Sequence, residues 1–83
     1  MSQIKVYTSN NCPSCRMVKK FLQIKGKDFV ELNVDSDPNL RQEAISVSGG
    51  AMTVPVIAIS DEGGSVKGFS VGYNPSQLSS LIA

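Results

Sequence analysis

Three of the chain's four prolines directly follow a residue that can cap a helix, and they divide the chain into its elements. Proline favours the first position of a helix, where its missing N–H leaves no intrahelical hydrogen bond unmade. The capping residues are Cys12, Asp37 and Asn74, and the side chains of Asp and Asn readily accept the first free N–H groups of a helix. The sequence therefore predicts three helices, which begin at Pro13, Pro38 and Pro75.

Four short segments between and after these helix starts are typical of strands. The predicted strands comprise residues 3–8, 29–34, 54–59 and 65–69, and the turn at residues 61–64 makes the last two a hairpin. Alternating strands and helices call for parallel pairing with a right-handed crossover. The predicted fold class is therefore α/β, in the order β-α-β-α-β-β-α, with a four-stranded mixed sheet flanked by three helices.

Length and composition indicate one small globular domain that spans residues 1–83. Hydrophobic residues make up 41% and charged residues 18% of the chain, whereas a disordered chain has less apolar content and more net charge. No run approaches the roughly 18 apolar residues that a membrane span needs. The absence of a signal-peptide pattern predicts a cytoplasmic protein. A net charge of +1 argues against nucleic acid as a partner, and we expect a monomer.

The cysteine content limits the chemistry that the chain can perform. The two cysteines, Cys12 and Cys15, are accompanied by no histidine, so they cannot complete a tetrahedral zinc site. A structural disulfide between residues three apart closes a very small loop and constrains the unfolded chain little. A Cys-x-x-Cys pair that follows a strand and opens a helix is the usual context of a redox motif. Two inert thiols or half of a metal site are the alternatives.

The predicted helix start assigns different roles to the two thiols. Cys12 lies at the N-cap, where its sulfur can accept the N–H groups of Ser14 and Cys15. A thiolate gains from these donors and from the helix dipole, and such placement lowers the pKa of a thiol from about 8.5 into roughly the 3.5–7.5 range. We therefore predict that Cys12 attacks a substrate disulfide and that Cys15, one turn further, resolves the mixed disulfide.

Three separated motifs carry a resemblance that covers nearly the whole chain. They are Cys-Pro-Ser-Cys at residues 12–15, Thr-Val-Pro at residues 53–55 and Val-Gly-Tyr-Asn-Pro at residues 71–75. In this order they resemble the glutaredoxins and glutaredoxin-like redoxins, and the resemblance implies a thioredoxin-like fold and thiol–disulfide oxidoreductase activity. The candidate substrate-binding residues are Pro13, Ser14, Arg16, Thr53, Val54, Pro55, Gly72, Tyr73 and Asn74.

The Thr-Val-Pro motif has both an ordinary and a functional interpretation. Proline belongs at the first residue of a strand because it has no N–H to donate, and most X–Pro bonds are trans. The resemblance implies instead that Pro55 is cis and faces the cysteine pair. It also implies that Val54 offers its backbone N–H and C=O to a bound peptide or to glutathione, as an added strand would.

The third motif differs from the usual glutaredoxin pattern. Glutaredoxins carry a Gly-Gly pair before the last helix, whose N-terminus binds a carboxylate of glutathione; here Tyr73 replaces the second glycine, while the polar cap Asn74 remains. Ser9 and Ser14 stand where the family often has Lys and Tyr. These departures concern glutathione use. The Gly-aromatic form is similar to redoxins that take electrons from thioredoxin reductase and serve ribonucleotide reductase; an exposed aromatic in a turn is the alternative.

A basic window without acidic residues follows the cysteines, and it contains Arg16, Lys19, Lys20, Lys25 and Lys27. Lys25 and Lys27 complement the negative end of the helix dipole. A solvated helix face is the ordinary interpretation of the others. The alternative is that they lower the pKa of Cys12 and steer acidic partners or the carboxylates of glutathione towards it. Arg16, nearest the pair, is then the main contributor.

Three functions remain open at the level of sequence. The first is a glutaredoxin that reduces protein or glutathione mixed disulfides, with no tightly bound cofactor and glutathione as co-substrate. The second is a redoxin that thioredoxin reductase reduces and that donates electrons to ribonucleotide reductase. The third is a binding module in which Cys12 of two chains and two glutathione molecules hold a [2Fe–2S] cluster, since such clusters take four thiolates.

Overall fold

The structure is a computed structural model that describes residues 3–82. Its elements are β1 (Gln3–Thr8), α1 (Pro13–Ile24), β2 (Val30–Asn33), α2 (Pro38–Val47), β3 (Val56–Ser60), β4 (Val66–Val71) and α3 (Pro75–Ile82). The predicted order is confirmed, and all three helices begin at the predicted prolines. Within the described residues, no helix is long and apolar enough to cross a membrane.

The four strands form one mixed sheet in the order β2-β1-β3-β4. Strands β1 and β2, joined by α1, are parallel, as a crossover connection requires. Strand β3 runs antiparallel to both β1 and β4. The register places Tyr7 beside Val56 and Val56 beside Val71. The segments that follow β1, precede β3 and follow β4 therefore meet at one edge of the sheet. This arrangement is the predicted thioredoxin-like fold.

Both faces of the sheet are covered, so the molecule has two apolar clusters. On one face, α1 and α3 contribute Val18, Leu22 and Leu78 to a cluster with alternate residues of β1 and β3. On the other face, α2 contributes Ala44, which packs with Tyr7 and residues of β3. All five residues of β3 are buried because this central strand has a neighbour on each side and helices above and below.

The element boundaries differ from the prediction where local signals are weak. Strand β2 is shorter than the predicted 29–34, and β3 begins at Val56 rather than at residue 54 because the chain enters the sheet only after Pro55, which lacks an N–H. Strand β4 continues to Val71, which pairs with Val56. The helical spacing of apolar residues predicts that Met17 and Ile24 flank the buried face of α1, and this is wrong: their side chains are 47% and 74% exposed.

Candidate active site

Cys12 occupies the N-cap of α1, as predicted. Its backbone is extended, with φ −134° and ψ 92°, and Pro13 follows in the first turn. The Cys12 Sγ accepts the N–H of Cys15 at 3.0 Å. The expected second donor, the N–H of Ser14, makes no such bond. A disulfide joins Cys12 to Cys15, whose Cα atoms are 5.2 Å apart, so the helix start holds the two sulfurs together.

The two cysteines differ in their access to solvent. Cys12 is 7% exposed and Cys15 is 2% exposed, because Cys15 lies on the same side of α1 as Val18 and Leu22. Pro13, Ser14 and Arg16 are exposed beside them. An approaching molecule therefore meets Cys12 and its exposed neighbours before Cys15.

A hydrogen-bond network that the sequence analysis missed holds the loop before Cys12. The Asp35 carboxylate accepts the N–H of Asn10 at 2.8 Å and lies 3.2 Å from an Arg41 guanidinium nitrogen. The side-chain amide of Asn33 donates to the Asn10 side-chain oxygen at 2.9 Å. The available signal was that Asp35 follows β2 at its carboxyl end. The carboxyl ends of parallel strands lie at the same edge of a sheet, where α/β proteins place their sites.

The Val54–Pro55 peptide bond is cis, as the resemblance implied. Pro55 is buried, and its carbonyl oxygen accepts the N–H of Gly72 at 2.8 Å. Gly72 has φ +78°, a conformation that favours glycine. This bond joins the second predicted motif to the third. Within residues 3–82, no group hydrogen-bonds to the N–H or the C=O of Val54.

An open cavity of about 450 Å³ lies between the loop before Cys12 and the segment before Pro55. Its lining comprises Ser9, Asn10, Asn11, Val34, Asp35, Arg41, Met52, Thr53 and Val54. The cavity thus brings the predicted residues Thr53 and Val54 together with the Asp35 network. The cation in its wall, Arg41, is paired with Asp35.

Tyr73 is half-buried and is not the exposed turn aromatic of the alternative interpretation. Its ring meets the ring of Phe21 in α1 edge to face, with centroids 6.4 Å apart at 72°, a favoured geometry for aromatic pairs. The Asn74 side chain accepts the N–H of Gln77 at 3.2 Å, so it caps α3 as predicted. The third motif therefore packs the start of α3 against the C-terminal half of α1.

A second polar network fastens α1 to the sheet. The buried Thr8 hydroxyl donates to the Glu31 carboxylate at 3.0 Å, and Lys19 of α1 donates to the same oxygen at 3.0 Å. The hydrogen bond from Lys19 is the main reason that the pKa of Glu31 lies below its usual value. Lys19 is therefore an ion-pair partner and not merely part of a solvated face. No group of three or more potential metal ligands occurs among residues 3–82.

The fold and the Cys12–Cys15 pair at a helix N-terminus define a thiol–disulfide oxidoreductase of the thioredoxin fold. A sequence model of the Glutaredoxin family matches residues 4–63. Since this match covers more than half of the chain, the protein belongs to the glutaredoxin family.

Three known proteins are similar over most of their length. The glutaredoxin-like protein NrdH of Lactococcus lactis subsp. cremoris is 37% identical over 94% of this chain and 97% of its own. The solved glutaredoxin of Archaeoglobus fulgidus has a TM-score of 0.82 and 28% identity, covering 99% of this chain and 87% of its own. The NrdH-redoxin of Escherichia coli, described as having a thioredoxin-like activity profile, has a TM-score of 0.75 and 29% identity, covering 95% and 93%.

Proposed function

We propose that the protein reduces disulfides of other proteins, with Cys12 as the attacking thiol and Cys15 as the resolving thiol. The Cys12 thiolate attacks one substrate sulfur, forms a mixed disulfide and releases the other sulfur as a thiol. The Cys15 thiolate then attacks the Cys12 Sγ, which forms the Cys12–Cys15 disulfide and releases the second substrate thiol. Two electrons pass to the substrate. The observation that carries this assignment is the hydrogen bond from the Cys15 N–H to the Cys12 Sγ at a helix start.

Single cysteine variants test the two roles. Cys12→Ser should reduce no protein disulfide, because the first attack is lost. Cys15→Ser should still attack and then accumulate a mixed disulfide that mass spectrometry detects, because nothing resolves it. Accumulation of the mixed disulfide in Cys12→Ser instead would reverse the assignment.

The backbone of Val54 supports a binding mode for the substrate. Its N–H and C=O have no partner among the described residues, and Val54 lines the cavity that also contacts the loop before Cys12. An extended peptide that hydrogen-bonds to these groups would add a short strand beside the disulfide. The contacts are to backbone, so this mode places few demands on the sequence of the substrate.

Thioredoxin reductase is the reductant that we favour, with ribonucleotide reductase as an acceptor of the electrons. Two observations support it. Tyr73 fills the place of the second glycine and packs against Phe21, and the relative named NrdH matches over nearly its full length. Glutathione as co-substrate is the competing proposal. We place either reaction in the cytoplasm, where thiols are kept reduced.

One coupled assay separates the two reductants. NADPH and a protein disulfide are supplied with the redoxin and with either thioredoxin reductase or glutathione plus glutathione reductase. We expect NADPH oxidation with thioredoxin reductase and little with the glutathione system. Turnover only with the glutathione system would reject our choice of reductant while leaving the cysteine roles intact.

A further inference from the structure

The outward side of α1 combines exposed apolar side chains with cations. Met17 is 47% exposed and Ile24 is 74% exposed, and they are seven residues apart, so they lie on one side of the helix. Arg16 and Lys20 flank them on the same side, and Lys27 follows just after the helix. We name these five residues, Arg16, Met17, Lys20, Ile24 and Lys27, the α1 outer face. Its four members within α1 lie opposite the buried residues Val18 and Leu22, and Lys27 extends the positive charge just past the end of the helix.

The cations of this face have no acidic partner within the described residues. The ion pairs that residues 3–82 form with one another use Lys5, Lys19, Arg41 and Lys67. Arg16, Lys20 and Lys27 take part in none of them. In a chain with a net charge of only +1, the uncompensated positive charge is thus concentrated along one helix.

The α1 outer face is continuous with the reactive pair. Arg16 directly follows Cys15, and the exposed Pro13 and Ser14 connect the face to Cys12. A helix of 12 residues is about 18 Å long, so a partner whose disulfide contacts Cys12 can lie along the face with a short flanking segment. An anionic membrane or a nucleic acid would also meet this charge, but neither would bring a disulfide to Cys12.

We propose that the α1 outer face docks an acidic, amphipathic segment that flanks the disulfide of a partner protein. Its acidic residues meet Arg16, Lys20 and Lys27, and its apolar residues cover Met17 and Ile24. Charge complementarity of this kind raises association rates. The proposal rests on the proposed reduction of protein disulfides and adds the class of partner that is preferred.

Rates of single turnover with two model peptides test this inference. Each peptide has about 12 residues, enough to follow the helix if it is itself helical, and carries one cysteine in a mixed disulfide with thionitrobenzoate. One peptide alternates Glu with Leu on a helical repeat, and the other has Lys in place of Glu. The pre-reduced protein is mixed with each peptide, and release of thionitrobenzoate gives the second-order rate constant.

The expected result is a preference for the acidic peptide of at least about tenfold at low salt, within the range known for electrostatic steering. At about 1 M salt, where the Debye length is about 3 Å, the rate constant for the acidic peptide should fall towards that for the basic peptide. The double variant Lys20→Gln/Lys27→Gln should lose most of the preference. Ile24→Gln should slow the acidic peptide without changing the charge of the protein.

The matched control is Lys5→Gln/Lys67→Gln, which also removes two positive charges, but from residues outside α1. It should keep the preference. Equal rates for the two wild-type reactions, or an equal loss in both double variants, would overturn the proposal. Binding to phosphatidylserine vesicles with equal peptide rates would assign the face to a membrane and overturn it as well.

Bis(2-hydroxyethyl) disulfide separates this inference from the proposed function. Because this substrate is small and uncharged, wild type and both double variants should reduce it at the same rate. If wild type leaves it unreduced, the proposed disulfide reduction fails. If wild type reduces it and shows no peptide preference, only the docking surface fails.

Discussion

At each end of the sheet an aspartate carboxylate holds a loop by accepting backbone N–H groups, but the two loops have different roles. At one end, the Asp35 carboxylate accepts the Asn10 N–H and pairs with Arg41 at 3.2 Å. At the other, the Asp61 carboxylate accepts the N–H groups of two turn residues, each at 2.9 Å, and pairs with Lys67 at 3.4 Å. The first aspartate fixes the loop that leads to Cys12, and the second closes the β3–β4 turn.

The two aspartates stabilise the fold in the same way, but only Asp35 also positions the reacting group. Both aspartates hold a loop, so their loss should affect stability similarly. Of the two loops, only the one held by Asp35 leads directly to a reacting atom, the Cys12 Sγ, and borders the cavity near Val54. The rate of disulfide reduction should therefore fall when Asp35 is substituted and stay unchanged when Asp61 is substituted.

The largest effect is expected from Asp35→Ala. The variant leaves the Asn10 N–H without its acceptor, which should lower the free energy of unfolding by about 1–2 kcal/mol. Displacement of the loop should also lower the rate of disulfide reduction by roughly tenfold, since small errors in placement are costly to reactivity. Asp35→Asn, which retains an acceptor oxygen, should recover most of the rate. Denaturant unfolding and turnover, measured on the same samples, check both effects.

Asp61→Ala is the control at the opposite end. It should destabilise by a similar amount and leave the rate unchanged. A tenfold loss of rate in Asp61→Ala would show that reactivity follows global stability, and the distinction between the two ends would be wrong.

A pair of glycines gives the next largest effect. Gly72 and Gly64 have φ +78° and +85°, and a Cβ at either position meets no atom within 4 Å. Alanine at either site should therefore cost about 1–2 kcal/mol of backbone strain alone. Gly72→Ala should in addition weaken the bond to the Pro55 carbonyl and slow turnover, whereas Gly64→Ala should not. Identical turnover in both variants would argue against a role for the Gly72–Pro55 bond in the site.

The sequence predicted those features, such as helix starts, that neighbouring residues mark. Pro38 and its cap Asp37 fix a helix start within adjacent residues, and Cys12 with Pro13 does the same for α1. The Asp35 network was not predicted because Asn10 and Asp35 are 25 residues apart, and only the pairing of β1 with β2 brings them together. Ile24 was misplaced because an apolar side chain was taken to border the buried face, whereas Ile24 lies with Met17 on the side of α1 that faces away from Val18 and Leu22.

A smaller effect is expected at Glu31, which fastens α1 to the sheet. Glu31→Gln should cost less than about 1 kcal/mol, because the pair with Lys19 is exposed. Since the folded state lowers the pKa of Glu31, the advantage of wild type should be present at neutral pH and disappear as acid protonates the folded carboxylate. Thermal unfolding of both proteins between neutral and acid pH checks this sign; an advantage that grows in acid would contradict it.

Tyr7→Phe should have the smallest effect at neutral pH. The Tyr7 ring is fully buried. Its hydroxyl makes no well-formed hydrogen bond among residues 3–82 and only approaches the Glu43 carboxylate, so removing it should change stability little. Burial, and then the charge of Glu43, raise the pKa of Tyr7 to about 12. Wild type should therefore lose stability relative to Tyr7→Phe as the pH rises from about 10, the usual tyrosine value, to about 12. Denaturant unfolding across this range measures the difference, and a parallel decline of both proteins would contradict it.

The order in which the two thiols react tests the assignment of Cys12 as the attacking thiol most directly. The fully reduced protein is treated with a limiting amount of iodoacetamide at pH 7, and peptide mass spectrometry locates the label. We expect Cys12 to react at least about tenfold faster than Cys15, because thiolate character and access control alkylation. Equal labelling, or labelling of Cys15 first, would contradict the assignment of Cys12 as the attacking thiol.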